Sequence, residues 1–153
     1  MTRLLVTATR VALGVLLLWA AAAKLPDMSA FAQDVANYRV VPAALVPYIA
    51  AAVVGIELLA GIALVTGMMA RPAALVVAVL MLAFLVFLAQ ALLRGIDLRC
   101  GCFGGNEPAS WWSVARDGAL LGAALAVARD RSQGLPLLQN QRNRTSAPRI
   151  NGR

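Results

Sequence analysis

Residues 54–64 read VGIELLAGIAL, an apolar run interrupted by one carboxylate, Glu57. The run lies inside a longer apolar segment, residues 43–66, which is long enough to cross a hydrocarbon core about 30 Å thick as a helix. The chain is 61% hydrophobic and has no histidine among its 153 residues, whereas ordinary soluble domains are closer to half apolar. The sequence therefore indicates a membrane protein that carries a charged group inside one of its spans.

Three further segments are long and apolar enough to cross a membrane, since each helical crossing needs about 20 residues. They are residues 4–23, 72–93 and 111–128. None of the four segments alternates with a period of two, as the strands of a membrane barrel do. We therefore predict an all-α polytopic membrane protein, a four-transmembrane-helix bundle formed by one domain of residues 1–130. Residues 131–153 are basic and poor in large apolar side chains, which predicts a disordered tail.

The first span also has features of a secretory signal. Its basic start, the apolar residues 11–19 and the following AAAAK resemble a signal peptide with a small-residue cleavage site. Cleavage would leave three helices. Arg10 inside the apolar stretch, and the continuation of the chain into a patterned loop, favour a retained helix.

The basic residues beside the spans favour both termini in the cytoplasm, because Lys and Arg are retained on that side of the membrane. This orientation places seven basic residues inside and four outside. The loops 24–42 and 94–110 then face the extracytoplasmic side of a bacterial inner membrane. The tail is expected to touch anionic lipid headgroups, and no nucleic-acid partner is expected.

The loop 24–42 predicts a short helix that lies in the membrane interface. One face of this helix would carry apolar and aromatic residues spaced three, four and three apart: Met28, Phe31, Val35 and Tyr38. Asp27 or Ser29 is available as its N-cap. The helix is either a plain connector or a lid over the two cysteines of the second outer loop, residues 94–110.

A charged group inside a span needs a partner or a proton, because it is costly to bury in lipid. At about 1.5 Å per residue, Glu57 lies about 21 Å from the outer end of its span. Arg10 enters the first span from the inner side and is expected within about 5 Å of the same depth. The sequence favours a structural Glu57–Arg10 pair, with a neutral carboxyl or a proton or ion path as the alternatives. Arg116 and Asp117, adjacent in the fourth span, are expected to meet different neighbours.

The fourth span also carries small residues at every fourth position, which predicts the close approach of a neighbouring helix. These residues are Gly118, Gly122 and Ala126. Tryptophans lie near the outer ends of the first and fourth spans, where amphipathic rings prefer the headgroup level. They are Trp19, Trp111 and Trp112.

Both cysteines of the chain lie in the second outer loop, in LRCGCFGG, residues 98–105. With two thiols and no histidine, a zinc site would need carboxylates or water as further ligands, so no metal site is expected. In an oxidising compartment Cys100 and Cys102 can form a disulfide, and Gly101 allows the tight bend. So small a ring stabilises little, whereas a strained disulfide is readily reduced, and Arg99 favours the thiolate. A structural disulfide and unreactive thiols remain the alternatives.

Four stretches resemble the MauE/DoxX group of small redox-associated membrane proteins, over roughly residues 5–130. They are AAAKLPDMSAFAQDVANYRVVP after the first span, VGIELLAGIAL in the second, CGCFG after the third and WWSVARDGALL at the start of the fourth. The resemblance implies that Cys100 and Cys102 are a redox pair. It also implies a set of polar positions around that pair: Lys24, Asp27, Tyr38, Glu57, Arg116 and Asp117.

The resemblance further implies a role in methylamine utilisation, in forming the disulfides of the small subunit of methylamine dehydrogenase. The fold of the group is similar to that of vitamin K epoxide reductase, in which a four-helix bundle passes electrons between thiols and a quinone. The expectation of a quinone cofactor therefore rests on fold analogy alone, and no other cofactor is evident. This chain departs from that enzyme's pattern because it has no second cysteine pair.

We therefore expect a membrane thiol–disulfide redox protein. Cys100 and Cys102 would exchange electrons with an extracytoplasmic thiol protein, either thioredoxin-like or a secreted client. Two other classes stay open, a non-catalytic scaffold of a redox complex and a small transporter or proton conductor centred on Glu57. The scaffold would tolerate the loss of either thiol, whereas the transporter would depend on Glu57.

Overall fold

A computed structural model of the chain describes residues 3–95 and 110–130. Within these two ranges the chain forms helices and turns and contains no strand. The helices are α1 (Arg3–Lys24), α2 (Met28–Asn37), α3 (Val46–Thr66), α4 (Ala70–Leu93) and α5 (Trp111–Arg129). Short 3-10 turns, Leu25–Asp27 and Ala43–Leu45, precede α2 and α3. The predicted tail, residues 131–153, lies outside the described residues.

Three segments of the described chain are long and apolar enough to cross a membrane: Leu4–Asn37, Ala43–Thr66 and Ala70–Leu93. Large apolar side chains such as Leu59 and Val79 are about 70% exposed on these helices, which suits a surface covered by lipid. The prediction of an all-α, multi-pass membrane protein is confirmed. Helix α5, which carries Arg116 and Asp117, is not among the three segments, so its crossing of the membrane stays a prediction.

Helices α1 and α3 are antiparallel and cross in close contact at two glycines. A Cβ added to Gly14 would lie 2.9 Å from the carbonyl oxygen of Gly61, and one added to Gly61 would lie 3.1 Å from the carbonyl oxygen of Gly14. Any side chain at these positions would therefore push the two backbones apart. This crossing, typical of small residues in membrane helices, fixes how α1 and α3 are placed along each other.

Helices α4 and α5 form the other closely packed antiparallel pair. Gly118 of α5 makes an ordinary contact with Leu85 of α4, because a Cβ there would lie 3.7 Å from that side chain. At Gly122, in contrast, an added Cβ would meet no atom of another described element within 4 Å. The prediction that the small-residue face of this helix packs closely against a neighbour is therefore wrong at Gly122.

The four long helices share one apolar core. Buried side chains from all of them meet there, including Leu13, Leu17, Leu64, Val77 and Val127. Helix α1 is thus an integral part of the bundle. The interpretation of residues 4–23 as a retained helix stays a prediction.

Helix α2 confirms the short helix predicted after the first span. Asp27 is its N-cap and accepts a hydrogen bond from the Ala30 N–H at 2.9 Å. The predicted face is directed inward: Phe31 is buried with Ala21, Ala50 and Val54, and Met28 and Val35 pack against the same cluster. The location of α2 in the membrane interface stays a prediction.

Candidate functional site

A buried ion pair joins α1 to α3. The Lys24 ammonium donates to both carboxylate oxygens of Glu57, at 2.6 and 2.8 Å. The two side chains are only 1% and 2% exposed. Because both oxygens and the ammonium are engaged at hydrogen-bond distance, the pair satisfies a charge that would otherwise be costly inside the bundle.

The predicted Glu57–Arg10 pair is wrong, because Arg10 lies opposite the end of α3 and because the two side chains point away from each other. Side chains in a helix point towards its N-terminus. In the antiparallel pair α1 and α3, Lys24 therefore points along α1 towards Glu57, and Glu57 points along α3 towards Lys24. Arg10 points away from Glu57, and its guanidinium lies against Gly67, the C-cap residue of α3.

Helix α2 covers this ion pair with an aromatic ring. The Lys24 ammonium lies 5.1 Å from the centre of the Phe31 ring, within the range of a cation–π contact. Phe31 is itself 5% exposed. The short helix after α1 thus closes one side of the Lys24–Glu57 pair. A lid over the cysteines stays a prediction, because the cysteines lie outside the described residues.

A second buried carboxylate, Asp117, faces the same interior space as Glu57. Both side chains are 2% exposed, and both line an enclosed cavity of about 10 Å³. The other lining residues are apolar and come from α1, α4 and α5. A cavity of that volume is at the lower limit for one water molecule, so the two acidic residues line a small and apolar space.

Asp117 also contacts its neighbour in sequence. The Arg116 Nε–H donates to Asp117 at 3.2 Å, with Arg116 35% exposed and Asp117 2% exposed. The two side chains differ in burial, as adjacent helical positions should, yet they meet each other. Sequence analysis missed Ser113, which is also buried and lies one turn before Asp117. The spacing of four residues between the two was the signal that could have identified it.

Two predicted site residues lie apart from the ion pair. Asp27 caps α2 and accepts from Ser29 at 2.7 Å. Tyr38 packs against Phe87, with ring centres 6.5 Å apart. It lines a separate apolar cavity of about 190 Å³ between the end of α2, α3 and α4. The structure therefore brings together Lys24, Glu57 and the Asp117 region, but not all the polar positions that the resemblance implied.

Arg99, Cys100 and Cys102 lie outside the described residues, so their predicted role is untested. The described chain stops at Gly95 after α4 and resumes at Ser110 before α5. Both positions are at the end of the bundle that carries Lys24, because α4 is antiparallel to α3 and α5 is antiparallel to α4. The segment with the cysteines therefore starts and ends on the same side as the buried ion pair.

These features define a helical multi-pass membrane protein with paired charges inside its bundle. The chain belongs to the methylamine utilisation protein MauE family, whose model matches residues 2–129, and this confirms the resemblance. It is similar to the methylamine utilization protein MauE of Paracoccus denitrificans, with 36% identity over 132 residues, 84% of this chain and 71% of the relative. No solved structure was found to match the chain.

Proposed function

We propose that this protein is an accessory membrane protein of the methylamine-utilisation type, and that it exchanges disulfides with an exported protein through Cys100 and Cys102. The family match supports the proposal, since it spans residues 2–129 and so includes the Cys-Gly-Cys motif. The name of the relative supplies the metabolic setting. The disulfide chemistry is our own inference from the two thiols.

The proposed reaction is thiol–disulfide exchange. A client thiolate attacks one sulfur of the Cys100–Cys102 disulfide, a client–protein S–S bond forms, and the other cysteine leaves as a thiolate. A second client thiolate then attacks the mixed disulfide and releases the reduced pair. The client loses two electrons and two protons, and the cysteine pair gains them. In the reverse direction the same steps reduce a client disulfide.

Arg99 supports this chemistry in the proposal by stabilising the cysteine thiolate. The buried charged residues of the bundle support the fold and do not react with the client in this proposal. They are Lys24, Glu57 and Asp117. A quinone that reoxidises the cysteine pair remains a proposal from fold analogy.

We further propose that α5 is the fourth crossing and that the Lys24 end faces the extracytoplasmic side of the inner membrane. Exposed aromatic residues at this end support both statements. Trp19, Tyr48, Trp111 and Trp112 are 62 to 76% exposed and belong to α1, α3 and α5, as expected of an interfacial belt. The excess of basic residues near the other end supports the orientation.

The geometry of Glu57 argues against a proton conductor. Its two carboxylate oxygens both accept from Lys24, and the cavity beside it holds at most about one water molecule. A conductor needs a carboxyl that exchanges protons with a hydrated path. The scaffold class remains the alternative that an experiment must separate from thiol exchange.

Single Cys100→Ser and Cys102→Ser variants test the proposal. One of them should accumulate a mixed disulfide with an exported protein, visible as a reducible band, because the resolving thiol is missing. The double variant is the control and should trap nothing. In graded dithiothreitol or glutathione buffers the native pair should show a reduction potential above about −300 mV, the range of stable structural disulfides. No trapped partner, together with full maturation of the client in both single variants, would identify a scaffold instead.

A further inference from the structure

The end of the bundle opposite Lys24 gathers arginines from three helices. We call it the basic end and define it by Arg10 of α1, Arg71 of α4 and Arg129 of α5. The guanidinium of Arg10 lies against Gly67, the residue that ends α3. The Arg71 Nε–H donates to the Ala128 carbonyl oxygen at 3.2 Å, where α5 ends. The three side chains thus lie where α1 and α4 begin and where α3 and α5 end.

The Arg10 side chain is partly exposed, but one nitrogen of its guanidinium is buried and unsatisfied among the described residues. Its Nε is shielded from solvent and makes no hydrogen bond within the described residues. Glu57, the acid that its depth in the membrane suggested, is engaged by Lys24 instead. Buried charged donors are normally satisfied, so a group from outside the described chain is expected near this side chain.

The net positive charge at the basic end favours the binding of an anion. The described acidic residue at this end is Asp130, beside Arg129, so the arginines outnumber it. The last carbonyls of α3 and α5 add partial negative charge, but a helix terminus is equivalent to only about half an elementary charge. The remaining positive charge favours a phosphate group, which a guanidinium binds through two parallel hydrogen bonds.

Apolar side chains beside the arginines indicate that the phosphate belongs to a lipid. Met68 and Met69, directly after Gly67, are 72% and 65% exposed, and Leu4 on α1 is 83% exposed. Such side chains would be costly next to water but suit acyl chains. The Arg10 side chain also points along α1 towards its N-terminus, and long basic side chains reach the headgroup level in this way.

We propose that the basic end binds the headgroup of an anionic phospholipid, with its phosphate against the Arg10 guanidinium and its acyl chains along Leu4 and Met68. Arg71 and Arg129 add attraction from the neighbouring helices. Basic pockets between transmembrane helices bind anionic headgroups in this manner. The site does not depend on the cysteine chemistry proposed above and lies at the opposite end of the bundle.

Titration of lipid into the purified full-length protein tests this proposal. Native mass spectrometry should show that phosphatidylglycerol binds in preference to phosphatidylcholine, and thermal unfolding in detergent should shift upward with phosphatidylglycerol only. Arg10→Gln should weaken the phosphatidylglycerol binding about fivefold, the effect of losing one basic residue near an anionic headgroup. Arg94→Gln is the matched control, because Arg94 is exposed at the other end of the bundle, and it should retain the full preference.

Several results would overturn the proposal. Equal binding of both lipids to the native protein would do so without any variant, even if Arg10→Gln failed to fold. An equal loss in Arg10→Gln and Arg94→Gln would show that general charge, not this site, attracts the lipid. A shift produced by inorganic phosphate alone would assign the site to a soluble anion. Arg10→Lys, which keeps the charge but not the paired donors, should give an intermediate affinity.

Discussion

Removal of the Lys24 charge should destabilise the bundle strongly. Lys24→Met keeps a similar stem but leaves the Glu57 carboxylate without its two hydrogen bonds of 2.6 and 2.8 Å. At such distances the attraction is about 6 kcal/mol for an effective dielectric constant of about 20, and removing each ion from water costs several kcal/mol. The pair as a whole therefore contributes little, whereas a lone buried carboxylate keeps its cost. We expect Lys24→Met to lower the free energy of unfolding by about 3 to 5 kcal/mol.

The double variant Lys24→Met with Glu57→Leu separates pairing from packing. It should recover most of the lost stability, because it removes the uncompensated charge along with its partner. Unfolding in mixed detergent micelles, followed by far-ultraviolet circular dichroism, compares both variants with the native protein and with Arg94→Met, an exposed control. If the double variant is as unstable as Lys24→Met, or if Lys24→Met behaves like the control, the reasoning about this pair is refuted.

Three further predictions concern other parts of the molecule. Gly14→Ala should lower the free energy of unfolding by about 1 to 3 kcal/mol through overpacking, whereas Gly122→Ala, whose Cβ meets no atom of another described element within 4 Å, should be neutral or stabilising in the same assay. Phe31→Ala should cost about 3 to 5 kcal/mol and raise hydrogen exchange throughout α2; unchanged exchange would contradict the role of this ring as an anchor. After reduction, a membrane-impermeant thiol reagent should label Cys100 or Cys102 in intact cells, and labelling only in opened membranes would reverse the proposed orientation.

Hydropathy predicted most of the fold because partition into lipid acts residue by residue. The segments 43–66 and 72–93 agree with the described helices to within a few residues, and the spacing of Phe31 and its neighbours predicted the inward face of α2. The contact between α1 and α3 was not predictable in this way. Gly14 is the one glycine of α1 and Gly61 is one of two in α3. Only the three-dimensional pairing shows that a side chain at either position would collide with the backbone of the other helix.

The partner of Glu57 was mispredicted because depth alone was compared. Counting residues from the assumed ends of the spans put Arg10 near the depth of Glu57, whereas in the structure the Arg10 guanidinium lies against Gly67, ten residues after Glu57 at the end of α3. A helical side chain also extends several ångströms towards the N-terminus of its helix. In an antiparallel pair this direction brings Lys24 and Glu57 together and separates Arg10 from both. The cavity lined by Glu57 and Asp117 was beyond sequence reasoning for another reason: it depends on how α5 is rotated about its own axis against α1 and α4.

The Lys24–Glu57 pair also bears on how the chain enters the membrane during synthesis. A carboxylate at the centre of a lone helix costs about 2.5 to 3.5 kcal/mol on insertion scales, so α3 leaves the translocon less readily by itself than its apolar length suggests. Helix α1 is made first, and Lys24 at its end offers the compensating charge as α3 emerges. We therefore expect the two helices to partition into lipid as a hairpin, so that insertion of α3 depends on Lys24 of α1.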